Sequence, residues 1–395
     1  MGPLKGLRVL DASRILTGPY CTMMLADLGA EVIKVEMPGT GDDTRAWGPP
    51  FLGGEAAYYL SINRNKKSLT LNMKAPEGKE IFKALASRSD VLLENFRPGT
   101  MERLGLGYET LKQINPGLVY CSISGFGQDG PYWDKPGYDI ILQGAGGLMS
   151  ITGEPDGEPV RAGVAVCDIG AGMFAAFAIL AALYRRASTG EGDYIDVSML
   201  DCEVAWLTYV AGNHLATGKI PGRWGSAHPN IVPYQAFQGG DGKYFNVAVG
   251  NDALWKKFCA VVGLSHIVDD PRFATNPARV ANRQECVEII GNKLKERPAA
   301  EWLALLDEAG VPVGPINNIK EVFEDPQVLY RNMLVSIPHP KAGEVRVTGV
   351  PVKFKNNPGG ILSHPPLLGE HTDEVLTSLG YTAEQIAAFR EAGVV

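Results

Sequence analysis

The chain has 395 residues, of which 45% are hydrophobic and 21% are charged, and its formal net charge is −7. A chain of this length exceeds one ordinary core, so two domains are expected, and the composition excludes a disordered protein. The acidic balance argues against a nucleic-acid-binding scaffold, although a local basic patch for an anionic ligand is compatible with it.

Cysteine spacing and hydropathy predict the cellular compartment in which the protein is located. The six cysteines are scattered, with no CxxC pair and no zinc-finger spacing, which favours a reducing environment. Residues 1–13 lack the apolar core and cleavage site of a signal peptide. The longest uncharged run, 169–184, is shorter than the roughly 20 residues that a membrane span needs, so we interpret it as a buried helix. We expect a cytoplasmic protein with no nucleic-acid or membrane partner.

Strand and helix patterns alternate over the first 200 residues. Residues 6–11 predict a buried strand, 20–28 a helix and 30–36 a second strand. Such a βαβ unit implies a parallel sheet with helices on its faces. We therefore expect one α/β domain over 1–200. Its further predicted strands lie at 67–73, 90–94, 118–124 and 193–198, and its further helices at 78–86 and from 169 onward.

The pattern changes after residue 200. The segment 201–224 is expected to be a linker, because its helical stretch runs into Gly- and Pro-rich residues. Strand patterns on both sides of Gly239–Gly242 predict a hairpin. Helical spacing follows near 255–262 and again near 302–308. These elements predict a smaller α+β domain over 225–325.

The remaining segment, 326–395, is expected to be a second linker and a tail. Residues 326–365 are Pro-rich and irregular in pattern. Two short helices are predicted in the tail, and Thr382 and Gln385 form a capping-box pattern for the last one.

Several standard catalytic motifs are absent from the sequence. It contains no GxxxxGK[ST] loop, no HExxH motif and no GxSxG elbow, and its histidines are far apart. The first strand-to-helix turn has Gly18-Pro19 in place of GxGxxG, which disfavours a dinucleotide site even though Glu36 stands where a ribose-binding acid would be. We expect no metal and no tightly bound cofactor.

Asp168 has both a structural and a functional interpretation. As a structural residue it would be the N-cap of the long helix, a position that favours Asp. As a functional residue it would be a nucleophile, because a helix N-terminus stabilises an ionised carboxylate in apolar surroundings. The pattern alone leaves both open, and the two roles are compatible.

Two other features carry the same ambiguity. The segment Pro136–Asp139 and the glycines of 144–147 permit either tight turns or close approach of the backbone to a ligand. A basic cluster is either a solvated turn or a clamp on phosphate groups. The cluster comprises Arg64, Lys66, Lys67 and Lys74, to which Arg97 and Arg103 would add.

A series of segments along the whole chain carries a family resemblance. They are Gly18-Pro19, 25–45, 63–74, 92–105, 123–131, 136–140, the Asp168 segment, 309–327 and 365–376. Taken together, these segments resemble those of the family III coenzyme A transferases, a family that includes formyl-CoA and carnitine CoA-transferases and the α-methylacyl-CoA racemases. The resemblance implies a Rossmann-like large domain, a small domain, a C-terminal return to the large domain and an interlocked homodimer.

The resemblance also implies a mechanism and a binding site. By similarity, Asp168 attacks an acyl-CoA thioester to form a mixed anhydride and then an aspartyl-CoA thioester, which the incoming carboxylic acid attacks. The coenzyme A thioester is therefore a substrate, and a small carboxylic acid is its partner. Positions that match CoA contacts of the family are Asn95, Phe96, Arg103, Tyr138 and Asp139, with Leu71, Lys74 and Arg97 as further candidates.

Departures from the formyl-CoA transferases bear on the acceptor acid. Residues 225–230 lack the run of glycines found there, and Leu16 and Met37 replace an expected glutamine and arginine. These departures disfavour oxalate as the acceptor. Residues 225–237 resemble the members that use other dicarboxylic acids, with succinyl-CoA as a common donor. Candidates for contact with a distal carboxylate are His228, Arg45 and Arg14, with an ordinary loop histidine before proline as the structural alternative for His228.

Two alternatives to the transferase remain at this stage. The first is an acyl-CoA racemase of the same fold, which Tyr138 disfavours because racemases carry a histidine there as one of two acid–base groups. The second is a non-catalytic CoA-binding subunit of a hetero-oligomer. Asp168 disfavours it, because an inactive subunit need not keep that residue.

Overall fold

The computed structural model describes residues 2–395, which divide into two compact units. The first unit contains the residues up to Leu148, Arg161–Gly212 and Pro326–Val395. The second contains Met149–Val160 and Asn213–Asp325. The predicted domain boundaries, which remain predictions, did not anticipate that 149–160 groups with the second unit.

The first unit is built on a parallel sheet. Six strands are hydrogen-bonded in the order β5-β2-β1-β6-β7-β8, and β3 and β4 form a separate short antiparallel pair. The expected α/β class with a parallel sheet is therefore confirmed. The strands are β1 Arg8–Asp11, β2 Glu31–Glu36, β3 Phe51–Leu52, β4 Glu55–Ala56, β5 Lys66–Thr70, β6 Val91–Glu94, β7 Val119–Ser124 and β8 Asp193–Ser198.

Helices connect these strands and cover both faces of the sheet. Successive residues of β1 point to opposite faces, so Val9 and Leu10 enter different core layers. The helices up to residue 217 are α1 Thr17–Asp27, α2 Ala57–Ile62, α3 Pro76–Ala86, α4 Thr100–Leu104, α5 Tyr108–Ile114, α6 Asp139–Ala145, α7 Leu148–Ile151, α8 Val166–Thr189, α9 Met199–Trp206 and α10 Thr208–Thr217.

Helix α8 corrects the expectation of a fully buried helix. Its small residues pack closely on α1, and a Cβ added at Gly172 would lie 2.7 Å from the carbonyl oxygen of Thr17. The opposite face is apolar but exposed, with Phe177 72% and Tyr184 86% accessible. By length and composition alone, this 24-residue helix passes the test for a membrane span, a test that core helices of soluble proteins also pass.

The second unit has its own sheet and core. Strands β9 Tyr234–Gln238 and β10 Tyr244–Ala248 form the predicted hairpin, and β11 Val313–Pro315 pairs with β10 on the other side. Trp255 and Phe258 are fully buried in its core, as helical spacing predicted. The helices are α11 Asp252–Val262, α12 Asn276–Ala281, α13 Arg283–Leu294, α14 Ala299–Glu308 and α15 Ile319–Glu324.

The C-terminal segment returns to the first unit. The expectation of an irregular 326–365 is wrong, because the alternating residues Ile337, Val345 and Val347 form the apolar face of a hairpin that packs on Leu60. The capping box of Thr382 is confirmed. The elements are α16 Pro326–Tyr330, β12 Leu334–His339, β13 Gly343–Thr348, α17 Thr372–Leu379 and α18 Ala383–Glu391.

Candidate active site

The sheet topology places a ligand site next to β1. The chain leaves β1 toward β2 on one side, while β6 lies on the other, and such a switch point opens a crevice at the carboxyl ends of the strands. The loop after β1 and the loop after β6 meet there through a reciprocal pair. The backbone N–H of Arg14 donates to Oδ1 of Asn95, and Nδ2 of Asn95 donates to the Arg14 carbonyl, both at 2.8 Å.

A cleft at this point, the reaction cleft, contains Asp168. Asp168 is the single acidic residue among the described residues that line the cleft. Arg14, Arg97 and Lys135 are the cationic residues of the same lining. A largely desolvated carboxylate in a cleft that cationic side chains also line suits a negatively charged substrate that reacts at the carboxylate. Tyr138 also lines the cleft and is largely exposed.

A second cavity, the edge cavity, adjoins the reaction cleft along the same edge of the sheet. Arg14 and Phe96 line both, so the two spaces are neighbours. The edge cavity has an apolar side that includes Met37, Leu71 and Met73. Its lining suits an apolar group held beside charged ones.

Asp168 lies in the first turn of α8 but is not the N-cap. The cap residue is Ala165, and Asp168 is the third residue of the helix, so the N-cap interpretation is wrong. Burial raises the pKa of Asp168 to about 6, the negative charge of Asp139 adds to this, and a hydrogen bond from Thr17 opposes it. That bond runs from Oγ1 of Thr17 to Oδ1 of Asp168. The carboxyl group is therefore largely ionised at neutral pH.

Side chains behind Asp168 hold the first turn of α8. The backbone N–H of Cys167 donates to Oδ1 of Asp139 at 2.9 Å, and Nε2 of Gln143 donates to the other oxygen at 2.6 Å. The thiol of Cys167 donates to Oε2 of Glu203 at 2.6 Å. Burial raises the pKa of this thiol far above its usual range, and Glu203 adds to it, so Cys167 is not a competing nucleophile.

The comparison with known families decides the identity. A family model described as CoA-transferase family III matches residues 4–372. The chain is a member of CoA-transferase family III. Because its named relatives are CoA-transferases, the transferase branch of the predicted resemblance is confirmed, and the enzyme is a family III CoA-transferase.

Named relatives and a solved structure agree with this membership. The transferase is 46% identical over 394 residues to the succinyl-CoA:glutarate CoA-transferase of Homo sapiens, an alignment that covers 100% of this chain and 90% of that protein. It is 45% identical over 383 residues to the succinate--glutarate CoA-transferase of Agrobacterium fabrum, covering 95% and 96%. A CAIB/BAIF family protein from Brucella suis has a TM-score of 0.85 at 45% identity, covering 96% and 99% of the two chains.

Most of the residues that were predicted to contact CoA lie along the edge of the sheet that contains the two cavities. Asn95, Phe96, Arg97 and Tyr138 line the reaction cleft, and Leu71 lines the edge cavity. Asp139 stands behind Asp168, as described above.

Two further predicted contacts lie, like Asp139, outside both linings. Nη2 of Arg103 donates to Oγ1 of Thr100 at 2.9 Å, and the backbone N–H of Lys74 donates to Oδ1 of Asn72 at 3.1 Å. Neither side chain lines the reaction cleft or the edge cavity. The CoA-binding roles of Arg103 and Lys74 remain predictions.

Besides Ile15, sequence reasoning missed three residues of the transferase site. Thr17, Lys135 and Met199 line the reaction cleft. The first two stand directly before segments that the sequence singled out, Gly18-Pro19 and 136–140. Their position next to those segments was the sequence feature that could have identified Thr17 and Lys135 as site residues.

The phosphate-clamp interpretation of the basic cluster is wrong for its central members. Arg64 is buried and makes a two-pronged ion pair with Asp27, with Nη2 2.7 Å from Oδ2. The ammonium of Lys66 is fully buried 3.1 Å from Asp11. Lys67 bridges Glu31 and Glu374. These cations neutralise acids of the core and surface and are not available to a phosphate.

Two candidates for a distal carboxylate have other partners. Arg45 donates to both oxygens of Glu36 at 2.7 and 2.8 Å and lies over the Tyr59 ring, which excludes it. In the second unit, Nδ1 of His228 accepts from the backbone N–H of Asn230 at 3.0 Å. A contact of His228 with substrate remains a prediction.

Proposed function

We propose that this enzyme transfers CoA from succinyl-CoA to a dicarboxylic acid of similar length, glutarate first, with Asp168 as nucleophile. The observation that carries the proposal is the position of Asp168, the single acid lining a cleft that three cations also line. The substrate pair is taken from the names of two relatives that align over at least 95% of the chain.

The chemistry starts with attack of the ionised Asp168 carboxylate on the thioester carbonyl carbon. The carbon–sulfur bond breaks, CoA leaves as thiolate, and an aspartyl–succinyl anhydride forms. The thiolate then attacks Cγ of Asp168 and displaces succinate, which leaves an aspartyl-CoA thioester. Each step exchanges one acyl acceptor for another, so a difficult exchange between two acids becomes a series of easier ones.

The acceptor repeats the same steps in reverse. Its carboxylate attacks Cγ of the aspartyl thioester and displaces the thiolate, and the thiolate then attacks the acceptor's acyl carbon. The second attack releases glutaryl-CoA and restores the Asp168 carboxylate. Protons are conserved throughout, because carboxylate and thiolate exchange places as anions.

The two cavities suggest how the donor lies. We place the thioester in the reaction cleft and the nucleotide end of CoA in the edge cavity, where Leu71 and Phe96 supply apolar contacts. Arg14 lines both spaces and supplies positive charge between them. Arg97 and Lys135 offset the charge of a second carboxylate on the donor or acceptor acid.

We also propose a homodimer, in the interlocked form that the family resemblance implies, together with the predicted domain layout. The support is the exposed apolar face of α8, which includes Met173, Phe174 and Phe177. Several exposed apolar side chains on one helix are typical of an interaction surface. Because α8 begins beside Asp168, contact between protomers would also stabilise the active site.

An acceptor screen with an Asp168 variant tests the proposed function. Succinyl-CoA is incubated with glutarate, oxalate or acetate, and the new acyl-CoA is quantified by mass spectrometry. We expect glutarate to be preferred and Asp168→Asn to lower turnover by about 10³-fold or more. Asp307→Asn, an exposed acid on α14, is the matched control and should retain full activity. Preference for oxalate, the acceptor named for a relative from Acetobacter aceti, would refute the substrate assignment.

A further inference from the structure

Thr17 links the starts of the two helices that meet at the reaction cleft. It is the first residue of α1, its side chain is buried, and its hydroxyl donates to Oδ1 of Asp168, 151 positions away in sequence. Its other hydrogen-bond partner among the described residues is the sulfur of Met199, a weak acceptor at 3.9 Å. The hydroxyl proton is therefore directed to the Asp168 carboxylate.

The turn that carries Thr17 is strained and is held in place. Ile15 has a φ of +69°, a conformation that a β-branched residue rarely adopts. Strain of this kind persists where the surroundings fix it, and it is concentrated at functional sites. The backbone N–H of Ile15 donates to both carboxylate oxygens of Asp42, at 3.3 and 3.2 Å. Asp42 is in turn fixed by the ammonium of Lys34 at 2.8 Å, with both side chains fully buried.

The other side of the turn is fixed as well. The reciprocal hydrogen bonds between the Arg14 backbone and the Asn95 side chain tie it to the loop after β6. Gly18 packs so closely on the turn that an added Cβ would lie 2.2 Å from Cβ of Ser13. These contacts hold the Thr17 hydroxyl at a defined position, whereas a flexible turn would let it move.

Other groups around Asp168 do not supply an equivalent hydrogen bond. Asp139 is a like charge, and Tyr58 is close enough for the Asp168 charge to raise the pKa of its phenol. The cations Arg14, Arg97 and Lys135 line the same cleft, but no hydrogen bond joins them to Asp168 among the described residues. Thr17 is the side chain that binds one oxygen of the carboxylate and leaves the other open.

We propose that Thr17 is a catalytic hydrogen-bond donor that selects Oδ2 of Asp168 as the attacking atom and stabilises the oxyanion on Oδ1 in the later steps. The proposal rests on the proposed function of Asp168. When Oδ2 bonds to the acyl carbon, Oδ1 becomes a carbonyl oxygen and still accepts from Thr17. Attack of the CoA thiolate on Cγ places negative charge on Oδ1, and the C–O bond to the leaving succinate then breaks. The proton stays on the Thr17 oxygen throughout, so the step is balanced.

Replacement of the hydroxyl by a methyl group tests this role. Thr17→Val is expected to lower kcat by about 10²-fold, the usual loss for one oxyanion donor, with little change in the KM for succinyl-CoA. The acid limb of the rate profile should move to higher pH, because the Asp168 carboxylate loses a donor that favours its charged form. Thr17→Ser, which keeps the hydroxyl, should restore kcat to within severalfold of the native enzyme.

A second variant and a second readout separate this proposal from the proposed function. Thr17→Ala should show the same loss as Thr17→Val, and aspartyl-CoA should accumulate more slowly in both when succinyl-CoA is added alone. An unchanged kcat and acid limb in a folded Thr17→Val or Thr17→Ala enzyme, with Asp168→Asn inactive, would overturn the role of Thr17 alone. Native turnover by Asp168→Asn would overturn the proposed function itself.

Discussion

At the scale of single residues, the site depends on Asp168, whose ionised form is disfavoured by burial in the folded protein. Burial raises the pKa of Asp168 to about 6. Between the unfolded pKa and this value the folded protein binds more protons than the unfolded chain, so stability falls as pH rises through that window. The ionised nucleophile is therefore present at neutral pH at a cost in stability.

The pH dependence of activity follows from the same shift. Because the ionised form attacks, kcat/KM for succinyl-CoA should be constant at neutral pH and should fall below about pH 6, with one proton bound per site. The measurement is a rate profile from pH 5 to 9 under subsaturating donor. An acid limb near pH 4 would show that the carboxylate is not buried as described.

The stability of an Asp168 variant should move in the opposite direction to its activity. Asp168→Asn removes the buried charge and is expected to raise the free energy of unfolding at pH 8 by on the order of 1 kcal/mol. Urea unfolding at pH 8, with native enzyme and Asp307→Asn measured in parallel, checks this. A variant less stable than the native enzyme at pH 8 would contradict it.

At the scale of elements, the crossing of α1 and α8 sets the distance between Thr17 and Asp168. Gly172 permits the close approach, since an added Cβ would lie 2.7 Å from the Thr17 carbonyl oxygen. Gly172→Ala should therefore destabilise the fold by about 1–3 kcal/mol and slow turnover. Gly291→Ala, at an open position of α13, is the matched control and should stabilise by about 0.5–1 kcal/mol. Equal effects of the two changes on unfolding and activity would refute this account of the crossing.

Local elements were predictable, and long-range pairings were not. The βαβ unit, the hairpin at β9 and β10 and the capping box of Thr382 follow from neighbouring residues. The pairing of Arg64 with Asp27 spans 37 positions, so the sequence alone allowed a solvated turn or a phosphate clamp. Similarly, the bond from Thr17 to Asp168 depends on how α1 and α8 cross, which no local pattern encodes.

A substitution in the buried ion pair of Arg64 and Asp27 tests whether Arg64 has a structural role and does not bind phosphate. Arg64→Met leaves Asp27 buried without its cationic partner, so we expect a loss of about 3–5 kcal/mol in unfolding free energy. The KM for succinyl-CoA of the folded fraction should be unchanged, because Arg64 is not in either cavity lining. A large rise in KM without loss of stability would restore the phosphate-clamp interpretation.

At the scale of the whole molecule, α8 was predicted to be buried, yet one face of it is exposed in the single chain. Apolar composition indicates that a surface is covered but does not say by what, so hydropathy could not distinguish a core from an interface. The cleft itself was predictable only in part. Asn95 and Phe96 came from motif resemblance, and Asp168 came both from its place at the start of the long helix and from the resemblance. Lys135, which stands next to a matching segment, could be assigned to the cleft only from the fold.

The proposed dimer is tested on the exposed face of α8. Phe177→Asp should reduce the sedimentation mass from dimer toward monomer and lower activity, since a charge there would be buried between protomers. Lys257→Asp places the same acid on an exposed position of α11 and is the matched control. A dimer that survives Phe177→Asp with unchanged affinity would contradict the assignment of this face.

The most direct test of the central claim is to identify the covalent adduct. The enzyme is incubated with succinyl-CoA alone, treated with hydroxylamine and digested, and the peptides are mapped by mass spectrometry. The account predicts a hydroxamate on Asp168 and none on Asp139, Glu203 or Cys167. A modification confined to any residue other than Asp168, or no adduct under turnover conditions, would contradict it.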